Sequence, residues 1–146
     1  MNENFNELEV PILFNRMNKN FNKGLGDFLV PYGLSKLHSF YMVCLYIYKK
    51  GLTLNQLNFL TGFDKANTSR AISDMEEKGI VDRVSNNTNR KYKVVLTEKG
   101  FNIGKDFIKT VKENIKKTFS VLTESEMSTF RFLVSKLLKG ECYDTN

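Results

Sequence analysis

Thr53-Leu54-Asn55-Gln56-Leu57-Asn58-Phe59-Leu60-Thr61-Gly62-Phe63-Asp64-Lys65-Ala66-Asn67-Thr68-Ser69-Arg70-Ala71-Ile72 is the stretch whose reading decides the fold. Thr53 and Gln56 stand three apart, the spacing at which each side chain satisfies the other's free backbone N–H at a helix start. Leu54, Leu57 and Leu60 continue at helical spacing, and Gly62 supplies a turn. Asp64 is placed to cap a second helix, whose Ala71, Ile72 and Met75 face one way and which Gly79 closes. Two helices joined this tightly predict a helix–turn–helix.

A small basic hairpin comes next in the chain. Ile80-Val81-Asp82-Arg83-Val84 leads to an Asn-rich tip, Asn86-Asn87-Thr88-Asn89-Arg90-Lys91, which tolerates the positive backbone angles of turns. The return strand, Lys91 to Leu96, puts Tyr92, Val94 and Leu96 on one face and Lys91 and Lys93 on the other. Thr97 then caps a long helix with Phe101, Gly104, Ile108, Val111, Ile115 and Phe119 along one stripe and Lys105, Lys109, Lys112, Lys116 and Lys117 on its polar side.

The leading end of the second helix crowds Lys65, Asn67, Thr68, Ser69 and Arg70 together. Arginine matches guanine and asparagine matches adenine by paired hydrogen bonds in the major groove, while lysine and hydroxyl groups suit phosphate. With the cations Arg83, Arg90, Lys91 and Lys93 behind it, this end suits duplex DNA: helix in the major groove, hairpin against backbone or minor groove. Arg83 has an equal alternative, a pairing with Asp82 or with an acid of the helix.

The flanks predict three more helices. One opens at Pro11 and carries Ile12, Phe14, Met17, Phe21, Leu25 and Phe28, weakened at Gly24 and Gly26 and ended by Pro31-Tyr32-Gly33. A second, Lys36 to Lys50 after Ser35, is apolar around most of its girth and therefore belongs in the core. A last one starts at the capping box Thr123–Glu126 and carries Met127, Phe130, Val134, Leu137 and Leu138. The expected fold is mainly α, an α+β winged helix of six helices with a two- to three-stranded wing. The reading core is about 34–100 within a single domain of residues 1–146. The outer helices, about 8–30 and 101–139, hold more apolar surface than one copy can cover, so a homodimer through them is expected.

Composition bounds the rest. In 146 residues, 41% hydrophobic and 12% aromatic content is that of a folded chain, and a net charge of +6 with pI near 9.3 favours polyanions. Cys44 and Cys142 match no zinc or redox spacing, and a single histidine, His38, leaves too few ligands for a zinc site. Cys44 reads as a small core hydrophobe and His38 as structural or solvated. No nucleophile–base pair or phosphate-cradling glycine loop is present, so neither catalysis nor a cofactor is expected. Without a signal peptide or an apolar run of ~20 residues, the chain reads as soluble and cytoplasmic, with no membrane partner.

In its order and spacing the whole pattern resembles the MarR family of winged-helix transcription regulators. Gly33-Leu34-Ser35 is similar to the family's start of the second helix, and Asp64 to Ile72 to its recognition helix. Met75-Glu76-Glu77-Lys78-Gly79-Ile80-Val81 is similar to that helix's exit, and Leu96-Thr97-Glu98-Lys99-Gly100 to the junction after the wing. The family's wing tip reads Asp-any-Arg; here Thr88-Asn89-Arg90 keeps the arginine and lacks the acid. The resemblance implies a homodimeric, ligand-responsive repressor on a palindromic operator of double-stranded DNA. It also implies a crevice for a small aromatic or phenolic effector, for which Phe14 and Tyr41 are the candidate residues. The missing wing acid supports a second reading, a winged-helix protein-interaction module that no longer binds DNA.

Overall fold

The structure, a computed structural model, describes residues 6–85 and 91–138. It forms two compact units, Lys23–Val111 and a terminal unit of Met1–Asn22 with Lys112–Asn146. In chain order the helices are α1 (Val10–Phe21), α2 (Leu25–Leu29), α3 (Lys36–Ile47), α4 (Leu54–Thr61) and α5 (Lys65–Glu77). Strands β1 (Val81–Ser85) and β2 (Tyr92–Leu96) precede α6 (Glu98–Phe119) and α7 (Glu124–Leu138). The long first helix expected from periodicity is in fact two. α1 stops at Phe21 with Asn22 as its cap, and Gly24, at a left-handed φ of 75°, turns the chain into α2, so the break outweighs the apolar spacing of Phe21, Leu25 and Phe28.

In the central unit α3 lies at the middle of the core, with Tyr41, Met42 and Leu45 buried. Leu57 of α4, Ala71, Ile72 and Met75 of α5, Val81 and Val94 of the strands, and Ile103 and Phe107 of α6 complete it. The turn between α4 and α5 is anchored by Phe63, whose ring lies 5.2 Å from that of Phe40, edge on, and 6.0 Å from that of Tyr41. Strands β1 and β2 pair antiparallel from Val81↔Leu96 to Ser85↔Tyr92, and Leu52 adds a bridge to Val94 by two backbone hydrogen bonds of 2.8 and 3.0 Å. That bridge is the rudimentary third strand of the wing.

The junction Leu96 to Gly100 clasps the end of α5. Gly79, at φ 69°, ends the helix, and Thr97 Oγ1 donates to the Gly79 carbonyl at 2.7 Å while its N–H donates to Ile80 O at 3.0 Å. Lys99 Nζ donates to Lys78 O at 2.8 Å. Gly100 has no room for a side chain: a Cβ there would press into the Ile80 carbonyl oxygen and lie 3.0 Å from its carbon.

In the terminal unit the Phe119 ring sits 5.4 Å from that of Phe21 and 5.3 Å from that of Phe130, and Asn114 Nδ2 donates to Phe21 O at 3.0 Å. Beyond these contacts many of its apolar side chains are exposed, while Leu13, Met17, Leu122, Met127 and Val134 are partly covered. Neither α1 nor α7 buries a residue, and Leu8, Ile12, Val121, Phe132, Leu137 and Leu138 are all more than half exposed.

Candidate nucleic-acid interface

Helix α5 turns one face inward and the other out. The inward stripe is Thr68, Ala71, Ile72 and Met75, all buried, at the 3-and-4 spacing of one helical face. The outward side carries Lys65, Ala66, Ser69 and Arg70, exposed, with Asn67 half-buried at its edge.

Asp64 caps the helix with one carboxylate oxygen and organises the outward side with the other. Oδ1 accepts the Asn67 backbone N–H at 2.8 Å, and Oδ2 accepts from Asn67 Nδ2 at 2.6 Å. Asn67 Oδ1 then accepts from Arg70 Nη2 at 2.8 Å. The Asn67 N–H, assisted by the Asn67 side chain, holds the Asp64 carboxyl below its ordinary value, so the cap carries its negative charge at neutral pH.

Two residues read from the sequence as DNA contacts point elsewhere. Thr68 is fully buried, with its hydroxyl 3.0 Å from the Tyr41 hydroxyl, also buried; it is a core residue and does not face a groove. The polar types around it hid its place in the buried stripe. Arg83, on β1, spends its guanidinium inside the fold: Nε lies 2.9 Å from Glu76 Oε2, Nη2 donates to Ser73 Oγ at 3.1 Å, and Nη1 donates to Tyr92 Oη at 3.0 Å. Its carbon is 4.9 Å from the Tyr92 ring centre. Arg83 therefore ties the root of the wing to α5. Of the alternatives open in the sequence it takes the helix acid, Glu76, and sequence reading missed Ser73 and Tyr92 as its further partners.

Lys91 is exposed and Lys93 half-buried on β2; Arg90 and Thr88, at the wing tip, lie outside the described residues, as does Cys142. Tyr41 cannot offer its hydroxyl to an effector while that group is buried against Thr68, and Phe14, about half exposed, belongs to the terminal unit. Burial pushes the Cys44 thiol up to about 11, so this partly buried side chain, packed against the core, stays protonated at neutral pH.

His38 proves structural. Its Nδ1 accepts the Ser35 backbone N–H at 2.9 Å, completing a capping box at the start of α3 in which histidine replaces the usual acid. A backbone N–H can only donate, so Nδ1 is unprotonated and Nε2 carries the ring hydrogen, 3.0 Å from Asp74 Oδ2 on α5. Asp74 also pairs with Lys78. Burial lowers His38 below 6.5, against the pull of Asp74 and with the help of Lys78.

Comparison with known proteins gives this arrangement a context. Over 110 residues, 71% of this chain and 72% of the relative, the sequence is 34% identical to the HTH-type transcriptional regulator BilQ of Clostridioides difficile (strain CD3). A MarR family model matches residues 41–91, which run from the core of α3 through α5 to the return of the wing. The chain belongs to the MarR family. Solved MarR-family folds superpose over almost the whole chain. A transcriptional regulator from Silicibacter pomeroyi does so with a TM-score of 0.81 at 22% identity, covering 94% of this chain and 92% of that one. A mutant MarR from E. coli, complexed with operator DNA, gives 0.71 at 24% identity over 94% and 99%. This MarR-family chain is thus a transcriptional regulator with a winged helix–turn–helix, and none of its described helices is long and apolar enough to cross a membrane.

Proposed function

We propose that the chain is a cytoplasmic, ligand-responsive repressor that binds a palindromic operator as a homodimer. Residues 1–146 form one MarR-type domain in this reading, with about 34–100 as the reading core and about 8–30 and 101–139 as dimerisation helices. The observation that carries it is the outward side of α5: a capped row of Asp64, Asn67 and Arg70, flanked by exposed Lys65 and Ser69 and joined through Arg83 to a basic wing. Lys65, Ser69, Lys91, Lys93 and Arg90 supply phosphate contacts, and two copies of α5 meet successive major grooves ~34 Å apart. The E. coli relative solved with operator DNA supports the same mode of use. Uncovered apolar residues on α1 and α7 support pairing of two chains through the terminal helices. The effector is a small aromatic or phenolic compound; Phe14 stays a candidate to touch it, and Tyr41 does not.

Selection of bound sequences from random duplexes, repeated across salt concentrations, tests this reading. The expected result is an inverted repeat whose half-site centres lie about one helical turn or a multiple apart, with log affinity falling by ~0.9 per phosphate contact per log unit of salt. Stable dimers that retain no duplex even at low salt would instead establish a winged-helix module for protein partners.

A further inference from the structure

The outward row of α5 divides its labour in a way that residue types alone do not reveal. Asparagine reads adenine with both ends of its carboxamide at once. In Asn67 each end already holds one charged partner, Nδ2 the Asp64 carboxylate at 2.6 Å and Oδ1 the Arg70 guanidinium at 2.8 Å, which leaves one Nδ2 hydrogen and one Oδ1 lone pair that point where those two bonds hold the amide. The orientation of that amide is fixed by chemistry. Asp64, ionised, can only accept, so it takes the NH2 end and leaves the oxygen facing Arg70. Releasing Asn67 to a base would break two charge-assisted hydrogen bonds at once.

Arg70 is in the opposite condition. It is exposed, it spends one N–H on Asn67, and it pairs with no carboxylate among the described residues. The other Nη2 hydrogen and both on Nη1 are left as a fork for two parallel acceptors, the pattern that guanine presents through O6 and N7. Asn67, half-buried and itself locked by the helix cap, limits the rotation of that fork.

We propose that Arg70 reads a guanine in each operator half-site, and that Asn67 and Asp64 are positioning residues that aim its guanidinium and read no base themselves. The inference rests on the DNA-binding reading above and deepens it: the operator carries one arginine-read guanine per half, and the relay Asp64–Asn67–Arg70 sets where it lies.

The test is duplex selection with wild type, Arg70→Lys, Asn67→Ala and Asp64→Asn, with thermal midpoints measured beside it. Asp64→Asn is informative because asparagine caps helices as well as aspartate does. Its amide, however, would turn an NH2 group toward Asn67 Nδ2, forcing the Asn67 carboxamide to flip and present its own NH2 group to Arg70. The expected outcome for Arg70→Lys is loss of guanine preference at one position per half-site, ~5- to 150-fold, the worth of one bidentate pair. Asn67→Ala and Asp64→Asn should each erode preference at that same position by about fivefold, the worth of one ordinary hydrogen bond, with midpoints for Asp64→Asn close to wild type. Wild-type enrichment of an inverted repeat whose preferences survive Arg70→Lys unchanged overturns the assignment alone. So does loss of an adenine preference in Asn67→Ala with the guanine retained. Enrichment of no duplex by wild type overturns the DNA-binding reading and the assignment with it.

Discussion

Gly100→Ala is the substitution at which local propensity and packing give opposite signs. Within a helix, replacing glycine by alanine stabilises by about 0.4–1 kcal/mol when the backbone is compatible, because the unfolded chain loses freedom. At Gly100 the added Cβ would press into the Ile80 carbonyl oxygen and lie 3.0 Å from the carbonyl carbon. That oxygen is backbone and cannot swing aside. It already accepts from Thr97 N at 3.0 Å and lies 3.2 Å from Thr97 Oγ1, so moving it disturbs the clasp between α6 and the end of α5. Overpacking costs ~1–3 kcal/mol and each of the two weakened hydrogen bonds ~0.5–1.5, so the net loss is roughly 1–6 kcal/mol after the propensity gain. Gly26 is the control. A Cβ there meets only Lys36 Cβ at 3.8 Å, an ordinary contact, so Gly26→Ala should be neutral or stabilising. Urea unfolding of the two variants reads the difference directly, since a loss of 2 kcal/mol moves the midpoint by about 1 M for a slope of ~2 kcal/mol per M. A Gly100→Ala protein as stable as wild type, or more stable, would refute the close approach of α6 to Ile80.

Thr68→Val keeps the shape and removes the hydroxyl facing Tyr41, so stability should fall by ~1–3 kcal/mol while base preference in duplex selection stays as in wild type. A change of preference without a stability loss would return Thr68 to the groove. Because burial lowers His38 below its unfolded 6.5, the unfolded chain binds more protons in that window. Stability is therefore full above pH 6.5 and declines as pH falls toward the lowered value, and His38→Gln, which keeps a capping-box residue but does not titrate, should flatten that slope. Equal slopes in the two proteins would remove the histidine from the pH response. Arg83→Lys loses the three-way fork and should cost ~1–3 kcal/mol of stability with an unchanged salt slope of DNA binding. A slope lowered by ~1 in an Arg83→Ala protein would instead place Arg83 on a phosphate. Leu137→Glu, on the uncovered face of α7, should shift sedimentation from dimer to monomer, and a dimer that persists would exclude this face from the interface.

The elements that are legible in the sequence are those whose signals span three or four residues. Thr53 with Gln56, Asp64 with Asn67, Thr97 with Gly100 and Thr123 with Glu126 each make the capping bond their spacing implies. The break between Asn22 and Gly24 is less legible, because apolar periodicity runs straight across it and only the backbone angle at Gly24 marks it. Thr68 departs from its expected role for a related reason: its type matches the polar neighbours, whereas its spacing to Ala71, Ile72 and Met75 places it on the core face. The partners of Arg83 lie 7 to 10 positions away on another element or strand, at Glu76, Ser73 and Tyr92, and no local period connects them. Likewise, nothing in the row of donor side chains distinguishes the residue that is tied, Asn67, from the one left with a fork, Arg70. That distinction depends on rotamers which only the cap at Asp64 selects.

The same ties explain how a short helix can read DNA. Thirteen residues would be marginal as a helix alone in water. Within the central unit α5 is held along its length. Phe63 packs the preceding turn against α3, Thr68 bonds Tyr41, Arg83 grips Ser73 and Glu76, and Thr97 and Lys99 hold the last carbonyls. Every one of these contacts lies on the flanks, the ends or the core side of the helix, so none occupies Lys65, Ser69 or the free side of Arg70. The ordering of the reading face is thus supplied by folding, and DNA binding does not have to bear it again. A wing root fixed to the same helix through Arg83 also means that groove contact and backbone contact are aligned together. Tilting α5 inside its unit would first break the bonds that hold it, so in the reading proposed above such a tilt is the costly way to alter affinity.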